Sequence, residues 1–372
     1  MTFENYKNKH MKFVNTSYII LTSLLIFVVS CKKSPPTPTV EYKKSKGVFI
    51  CNEGNYTYGN ASLSFYEPNT KTIDNQVFYN ANDFPLGDVC MSMTIKDTLG
   101  FLVINNSGKI IILNTNTFKH IATITGLTSP RYILIISNTK AYISDLYNKN
   151  IAIFNPETFE ITGSIRIGNS TENMVQFENR VFATSWSYNN KVYKINTDTD
   201  KLTDSLTVAK QPNSIILDKN NKLWVLSDGG FPGIPGGQDT AALTKIDAST
   251  FTIEKTYKFS SSDASPTQLK INGTKDTLFF INGTWASGGS FDFGIFRMPV
   301  NAEFLPDISF IPQEDKLFYG LGIDPVTSEI YVSDAIDYLQ KGIVFHYKSD
   351  ATMIDSFKTD IIPSYFCFKP QN

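Results

Sequence analysis

Short apolar stretches alternate with polar turns along the chain from Val48 onward, and the turns recur at regular intervals. Each of the clearest turns opens with an Asx residue, whose side chain accepts a hydrogen bond from the backbone two residues later and so closes a tight turn. A run of β-branched and other apolar residues precedes each turn. This pattern predicts strand–turn units repeated along the chain. The four turns begin at Asn114, Asn155, Asn196 and Asp247, at intervals of 41, 41 and 51 residues.

A second apolar series sets the number of units at seven. Its members are 40 to 55 residues apart, which leaves room for four short strands in each unit. The strands are apolar on both faces, as expected where each sheet is covered by a neighbour on either side. We therefore predict an all-β fold, a seven-bladed β-propeller, and disfavour two packed β-sandwiches because no linker divides the units. The series is centred on Phe49, Leu102, Tyr142, Phe182, Trp224, Phe279 and Tyr331.

The two ends of the repeat predict how the ring closes. The first unit, at Val48, has no inner strand of its own, whereas residues 363–368 form an additional strand after the seventh unit. Pairing of this C-terminal strand with the N-terminal blade would remove the exposed sheet edge that an open ring presents. The other inner strands are predicted at residues 91–95, 132–136, 174–177, 214–217, 268–271 and 320–323.

The N-terminal segment has the pattern of an export signal. Residues 18–30 are an apolar run of 13 residues, whereas a helix that spans a bilayer needs about 20. The run ends in Val28-Val29-Ser30-Cys31, which has the small-residue pattern of a lipoprotein processing site. We therefore predict a signal peptide at 1–30, lipidation of Cys31, a flexible Pro-rich tether to residue 46 and a propeller domain at 47–372. An ordinary signal peptide followed by a chance cysteine is the alternative.

The charge and the numbers of histidines and cysteines argue against several kinds of site in the domain. The formal net charge is −1 and becomes about −3 without residues 1–30, so we expect no nucleic-acid partner. Only His120 and His346 remain after the signal peptide, and we predict no metal site, no cofactor and no catalytic residues. Three cysteines allow at most one intramolecular disulfide. The blade arrangement favours Cys51 with Cys90 over a pairing with Cys367.

One face of the predicted ring carries the candidate binding site. In a propeller, the loops between second and third strands lie on the same face as the connections between blades. Three of these loops, at 52–60, 229–237 and 283–291, are long and rich in glycine and aromatic residues, whereas simple connectors tend to be short. Aromatic rings and amide groups together suit a large amphipathic ligand. The candidate ligand-binding residues are Asn52, Glu53, Asn55, Tyr56, Tyr58, Asn105, Asp145, Tyr147, Trp186, Tyr188, Asp228, Phe231, Asn282, Trp285, Phe291, Asp334 and Tyr338.

The opening of the domain resembles a known family. Residues 47–55, Gly-Val-Phe-Ile-Cys-Asn-Glu-Gly-Asn, and then 59–66, Gly-Asn-Ala-Ser-Leu-Ser-Phe-Tyr, resemble the start of YncE-like propeller lipoproteins of Bacteroidota, and among these the BtuG-type surface cobalamin-binding proteins. The resemblance implies a surface-exposed outer-membrane lipoprotein that captures cobalamin and passes it to a TonB-dependent outer-membrane transporter. The corrin ring would lie across the loop-rich face, and the family motif is carried over onto residues 52–55. Lys32-Lys33 departs from the acidic residues that often follow the lipidated cysteine in exported members.

Two other functions stay open at the level of the sequence. A glycan-binding or adhesive surface propeller would use the same aromatic face to stack on sugars. A propeller lactonase or lyase is less favoured, because such sites gather acid and base groups around the central channel. The inner strands carry few such residues: Asp88, Glu172 and Asp324 are scattered along the chain. Neither His120 nor His346 falls on a loop of the candidate face, so we predict no direct histidine ligation of cobalt.

Overall fold

The computed structural model describes residues 47–283 and 293–370. These residues form seven four-stranded antiparallel sheets, and each inner strand contacts the inner strands of the two neighbouring sheets, so that the seven strands surround a central channel. The inner strands are β28 (Pro363–Lys369), β4 (Cys90–Lys96), β8 (Pro130–Ile135), β12 (Met174–Phe177), β16 (Pro212–Leu217), β20 (Thr267–Ile271) and β24 (Phe318–Ile323), in blades 1 to 7. The seven-bladed propeller predicted from the sequence is confirmed.

The remaining strands follow outward from the channel in chain order. The second strands are β1 (Gly47–Asn52), β5 (Leu99–Ile104), β9 (Ala141–Asp145), β13 (Arg180–Ser185), β17 (Lys222–Ser227), β21 (Thr277–Asn282) and β25 (Ile330–Asp334). The third strands are β2 (Ser62–Glu67), β6 (Lys109–Asn114), β10 (Asn150–Phe154), β14 (Lys191–Asn196), β18 (Ala242–Asp247), β22 (Gly294–Pro299) and β26 (Lys341–Tyr347). The outer strands are β3 (Thr72–Asp74), β7 (His120–Ile124), β11 (Ile161–Arg166), β15 (Lys201–Thr207), β19 (Thr252–Lys258), β23 (Ile311–Pro312) and β27 (Met353–Ile361).

The four Asx turns have the predicted geometry. The Oδ1 atom of Asn114 accepts a hydrogen bond from the backbone N–H of Asn116 at 2.8 Å, and the three equivalent turns repeat this bond at 2.8 to 3.0 Å. The fifth residue of each turn has a left-handed backbone, with φ between 52° and 63°. In the first turn this residue is Phe118, whose ring packs on Phe49 and Phe65. The turns therefore reverse the chain between third and outer strands and also supply core side chains.

Strand β28 closes the ring as expected. It pairs antiparallel with β1, with Phe49 opposite Cys367 and Cys51 opposite Tyr365. The pairing continues past the strands, because the backbone N–H of Glu53 donates to the carbonyl of Ile362 at 2.8 Å. Blade 1 is thus built from both ends of the domain. All six residues of β1 are buried, so the first strand lies inside a complete blade.

A short helix that the sequence pattern did not predict covers part of blade 1. This helix, α1 (Val77–Asn82), buries Val77, Phe78 and Ala81 against the core between blades 1 and 2. The Asn82 side chain donates to the carbonyl of Phe118 at 2.9 Å and accepts from a backbone N–H at the start of β7. With six residues, α1 owes its stability to this tertiary packing and not to its helix propensity.

The expected disulfide is not formed. Cys51, Cys90 and Cys367 are buried free thiols within one apolar core of the described chain. Cys51 does lie next to Cys90, and the two thiols share a hydrogen bond. Burial raises the pKa of the Cys51 thiol well above its usual range, and hydrogen bonding to Cys90 raises it further. Because the thiolate is the species that reacts, the raised pKa makes the Cys51 thiol a poor nucleophile.

No helix within residues 47–283 and 293–370 is long and apolar enough to cross a bilayer. The predicted signal peptide, the lipidation site at Cys31 and the tether to residue 46 lie outside the described residues.

Candidate functional site

The second strands end, and the inner strands begin, on the same side of the ring, which we call the ligand face. In blade 3, for example, Pro130 at the start of β8 pairs with Asp145 at the end of β9. Six aromatic side chains stand on the loops of this face in blades 1, 3, 4, 5 and 7, with exposed fractions from 42% to 78%. Single exposed apolar residues are common on proteins, but a group on one face indicates a binding surface. The six are Tyr56, Tyr58, Tyr147, Tyr188, Phe231 and Tyr338.

Two further predicted residues connect loops of the ligand face. The Asn55 side chain donates to the carbonyl of Tyr338 at 2.7 Å and thereby links the loops of blades 1 and 7. Trp186 in blade 4 is partly buried, and its indole N–H donates to Asp228 in blade 5 at 2.9 Å. Burial raises the pKa of Asp228, although hydrogen bonds from Trp186 and from the backbone of Gly230 oppose the shift. Predicted residues Trp285 and Phe291 lie outside the described residues.

Three of the polar residues predicted at the second-strand ends make hydrogen bonds within the fold. Asn105, Asp145 and Asp334 are at least nine-tenths buried, and each bonds the segment that leads into an inner strand. The Asn105 amide donates to the Ser129 hydroxyl at 2.8 Å, and Asp145 accepts from the Ser129 backbone at 2.8 Å. Asp334 accepts in the same way from Leu317 at 2.9 Å. Backbone groups that leave the sheet need such partners when buried, so these side chains hold the segments that lead into the inner strands, and Asn105 also joins blade 2 to blade 3.

Asn52 and Asn282, which were also predicted to contact ligand, differ in burial. Asn52 is fully buried, and its amide donates to the Ser64 and Ser62 hydroxyls at 2.9 and 3.2 Å inside blade 1. It therefore cannot reach a ligand on the face. Asn282 is half-buried at the end of β21, directly before the part of the loop that is not described.

A charged cluster that the sequence interpretation missed lies at the mouth of the channel. The Arg131 guanidinium, at the start of β8, donates to the Glu172 carboxylate through Nε at 2.9 Å and Nη2 at 2.6 Å. The exposed fractions of the two side chains are 15% and 5%. Burial opposes the charge on Arg131, but the Glu172 carboxylate outweighs this effect and raises the pKa of the guanidinium. The sequence interpretation described Glu172 as one of a few acidic residues scattered along the chain, and the fold brings it beside Arg131.

Glu53 adds a second carboxylate to the cluster. The Tyr319 hydroxyl, on β24, donates to Glu53 at 3.2 Å, and the Tyr319 ring packs edge-on against exposed Tyr338 with 5.6 Å between centroids. Burial raises the pKa of Glu53, and the positive charge of Arg131 partly offsets that shift. The mouth therefore holds the Arg131 guanidinium, its paired Glu172 carboxylate and a second carboxylate, Glu53, close to the exposed aromatic side chain of Tyr338.

Three side chains meet deeper in the channel. The rings of Tyr132, on β8, and Tyr365, on β28, have centroids 6.2 Å apart, and the Lys270 ammonium, on β20, lies 5.3 Å from the Tyr365 centroid. These strands belong to blades 3, 1 and 6, which are not neighbours in the ring. Side chains of non-neighbouring blades can touch only across the axis, so all three point into the channel.

The two histidines lie away from the ligand face, in agreement with the sequence interpretation. His120 begins β7. His346 lies on β26 at the opposite end of the blade, buried between Glu329 and Asp355 at 3.1 Å from each carboxylate. Across residues 47–283 and 293–370, no three His, Cys, Asp or Glu residues are arranged to hold a metal ion.

A comparison of the sequence with protein families identifies the group to which the domain belongs. The model of a domain of unknown function, DUF5074, matches residues 46–366. The chain belongs to the DUF5074 family. The match runs from the residue before β1 into β28 and so includes strands of all seven blades of this chain.

Solved structures similar to this DUF5074 domain share its fold at low sequence identity. A quinonprotein alcohol dehydrogenase-like protein from Bacteroides thetaiotaomicron is 13% identical with a TM-score of 0.66, over 87% of this chain and 78% of the other. A putative 6-phosphogluconolactonase from Bacteroides fragilis is 13% identical with a TM-score of 0.62, over 90% and 100%. Hydrazine synthase of Kuenenia stuttgartiensis is 11% identical with a TM-score of 0.59, over 74% and 88%. No curated protein matches the DUF5074 chain in sequence.

Proposed function

We propose that this DUF5074 protein is a surface-exposed outer-membrane lipoprotein that captures cobalamin or a related corrinoid on its ligand face. It passes the ligand to a TonB-dependent outer-membrane transporter, and Cys31 carries the lipid. The observation that carries the proposal is the set of six exposed aromatic side chains around a polar channel mouth on one face. The resemblance of residues 47–66 to the cobalamin-binding lipoproteins supports the choice of ligand.

The chemistry of the ligand face fits a large, flat ligand with a polar periphery. Tyrosine and phenylalanine rings supply wide apolar contact at little cost in side-chain entropy. The phenol groups of Tyr56, Tyr58, Tyr147 and Tyr188 are exposed, and phenols both donate and accept hydrogen bonds. A corrinoid combines a broad apolar macrocycle with amide side chains at its rim, which matches this mixture.

We propose binding and not catalysis for the channel mouth. The Glu172 carboxylate accepts three hydrogen bonds of 2.6 to 2.9 Å from Arg131. Its oxygens are therefore not free to accept a proton from a substrate. Glu53 is held by Tyr319 in the same cluster. A general base needs a free lone pair directed at substrate, and these carboxylates are instead arranged to fix the inner strands.

Isothermal titration of residues 47–372 with cyanocobalamin tests the proposal. We expect binding with Kd at or below about 1 μM, since a face of this kind buries much of a ligand of this size. Absence of heat at micromolar protein would refute cobalamin capture. Binding on a glycan array would then favour the glycan-binding alternative, for which the same aromatic side chains would stack on sugar rings.

The double variant Tyr147→Ala/Tyr188→Ala is expected to weaken cyanocobalamin binding by at least about tenfold, because two aromatic contacts each contribute roughly 1 kcal/mol or more. Titration calorimetry measures the change, and the melting temperature should stay near that of the wild type. The matched control is Val326→Ala, which removes a side chain of 79% exposure from the turn between β24 and β25 on the opposite face. Equal weakening by the control would show that the effect does not come from the ligand face.

A further inference from the structure

The channel contains a cation that the proposed function does not use. Lys270 is half-buried on β20, and its ammonium faces the Tyr365 ring at 5.3 Å. Among the described residues, no Asp or Glu forms an ion pair with Lys270, whereas Arg131 higher in the same channel is fully paired with Glu172. The channel thus holds one cation in a direct ion pair and, among the described residues, one cation without a direct ion pair.

The phenols next to Lys270 are potential donors. No hydrogen bond joins the hydroxyl of Tyr132 or Tyr365 to any group in residues 47–283 or 293–370. Burial raises the pKa of both phenols, so they stay protonated at neutral pH. A protonated phenol can donate to an anion, and an ammonium group can only donate. The three side chains lie in one section of the channel, and each has a group that can donate to an anion.

The environment of Lys270 is costly for the protein alone. Burial lowers the pKa of its ammonium to about 8, and no neighbouring charge offsets this. Buried cations in proteins are normally paired, and a methionine or leucine would fill this space without the cost. An unpaired amine among phenols is the arrangement expected where a ligand supplies the negative charge.

We propose that the channel below its mouth is a binding site for a small anionic group, a carboxylate or phosphate, held by the Lys270 ammonium with Tyr132 and Tyr365 beside it. The anion is either a free ion or the anionic group of a ligand that covers the face above. In both cases it replaces the carboxylate that Lys270 lacks. The site goes beyond the aromatic face and does not depend on the identity of the ligand there.

The first arm of the test uses inorganic phosphate. At constant ionic strength and pH 7, phosphate up to about 10 mM is expected to raise the melting temperature of the wild type and to bind with a millimolar Kd. Lys270→Met should lose this response, while Lys270→Arg keeps part of it. The matched control Lys149→Met removes an exposed cation from a loop of the same face and should respond like the wild type. Binding should weaken between pH 7 and 9, since the ammonium loses its proton in that range.

The second arm identifies the source of the anion. Cyanocobalamin carries a phosphodiester, which could supply the anion. The anion would be assigned to the face ligand if phosphate had no effect on the wild type and Lys270→Met lowered the affinity for cyanocobalamin about tenfold, while Lys149→Met did not. A phosphate response that Lys270→Met abolishes assigns it to a free ion, whether or not cyanocobalamin binds. Absence of both effects overturns the site. Failure of cyanocobalamin to bind the wild type rejects only the proposed function.

The melting temperature of Lys270→Met without ligand provides a separate measurement. It shows whether a loss of anion binding comes from misfolding of the variant. Without ligand it should unfold at a higher temperature than the wild type at pH 7, because the native state no longer contains an unpaired ammonium. The pKa of Lys270 is lowered in the native state, so the wild type gains stability as pH rises above about 8, and the difference should shrink toward pH 10. A destabilised Lys270→Met would mean that the amine has a structural partner and would contradict the site.

Discussion

Deletion of residues 362–372 is expected to abolish cooperative folding and to leave an aggregating chain. The deletion removes β28, which is the inner strand of blade 1 and also contacts β4 and β24 on either side. Strand β1, now fully buried, would become an open apolar edge, and such edges pair with other chains. Size-exclusion chromatography and thermal unfolding by circular dichroism measure the result.

A shorter deletion provides the control. Removal of residues 370–372 leaves all of β28 in place, so this variant should elute as a monomer and melt like the full-length domain. A peptide of residues 362–372 added during refolding is expected to restore some soluble protein, because the missing strand is a single element. A soluble chain ending at Ile361 with one cooperative transition near the wild-type temperature would contradict closure of the ring by β28.

The second large effect is expected from Arg131→Met, which should lower the free energy of unfolding by about 3–5 kcal/mol. The substitution leaves the Glu172 carboxylate, which is 5% exposed, without its cation, and it also removes the positive charge that favours ionised Glu53. Removal of one partner of a buried ion pair costs more than the pair contributes, since the remaining charge stays buried. Urea unfolding at pH 7 measures the loss.

A double-mutant cycle separates this pair from a general effect of mutation. Arg131→Met/Glu172→Met should be more stable than Arg131→Met, because no unpaired carboxylate is left at Glu172. Lys194→Met provides the surface comparison: it breaks an ion pair with Asp204, which is 52% exposed, and should cost less than about 1 kcal/mol. The single variant Glu172→Met completes the cycle. If the losses in free energy of unfolding of Arg131→Met and Glu172→Met added up to the loss in the double variant, the two residues would not be coupled.

The parts of the fold that were predictable from the sequence are those set by local chemistry. An Asx residue closes its own turn, so the turns at Asn114 and Asp247 are visible as patterns of five residues. Apolar runs between such turns give the strands, and their count gives the blades. Helix α1 was not predicted from the sequence, because its three buried side chains are too few to form a periodic pattern.

The sequence predicted the position of the exposed aromatic residues of the candidate site, but not the role of its buried polar residues. Aromatic residues in a long Gly-rich loop, such as Tyr56 and Tyr58, do stand on the ligand face. Polar residues at strand ends, such as Asn105, look the same in a sequence whether they bind ligand or join blades. The channel cluster was missed because its members are far apart in the chain: Arg131 precedes Glu172 by 41 residues, and only the arrangement of the blades brings Lys270 to Tyr365.

The direction of β1 bears on how a lipid-anchored ring would be oriented. Gly47 begins β1 at the end where it pairs with Lys369, and Asn52 ends it on the ligand face, so the chain enters the ring from behind. Any segment that precedes Gly47 therefore joins the ring on the side that faces away from the ligand, so attachment through the N-terminal segment would leave the ligand face uncovered.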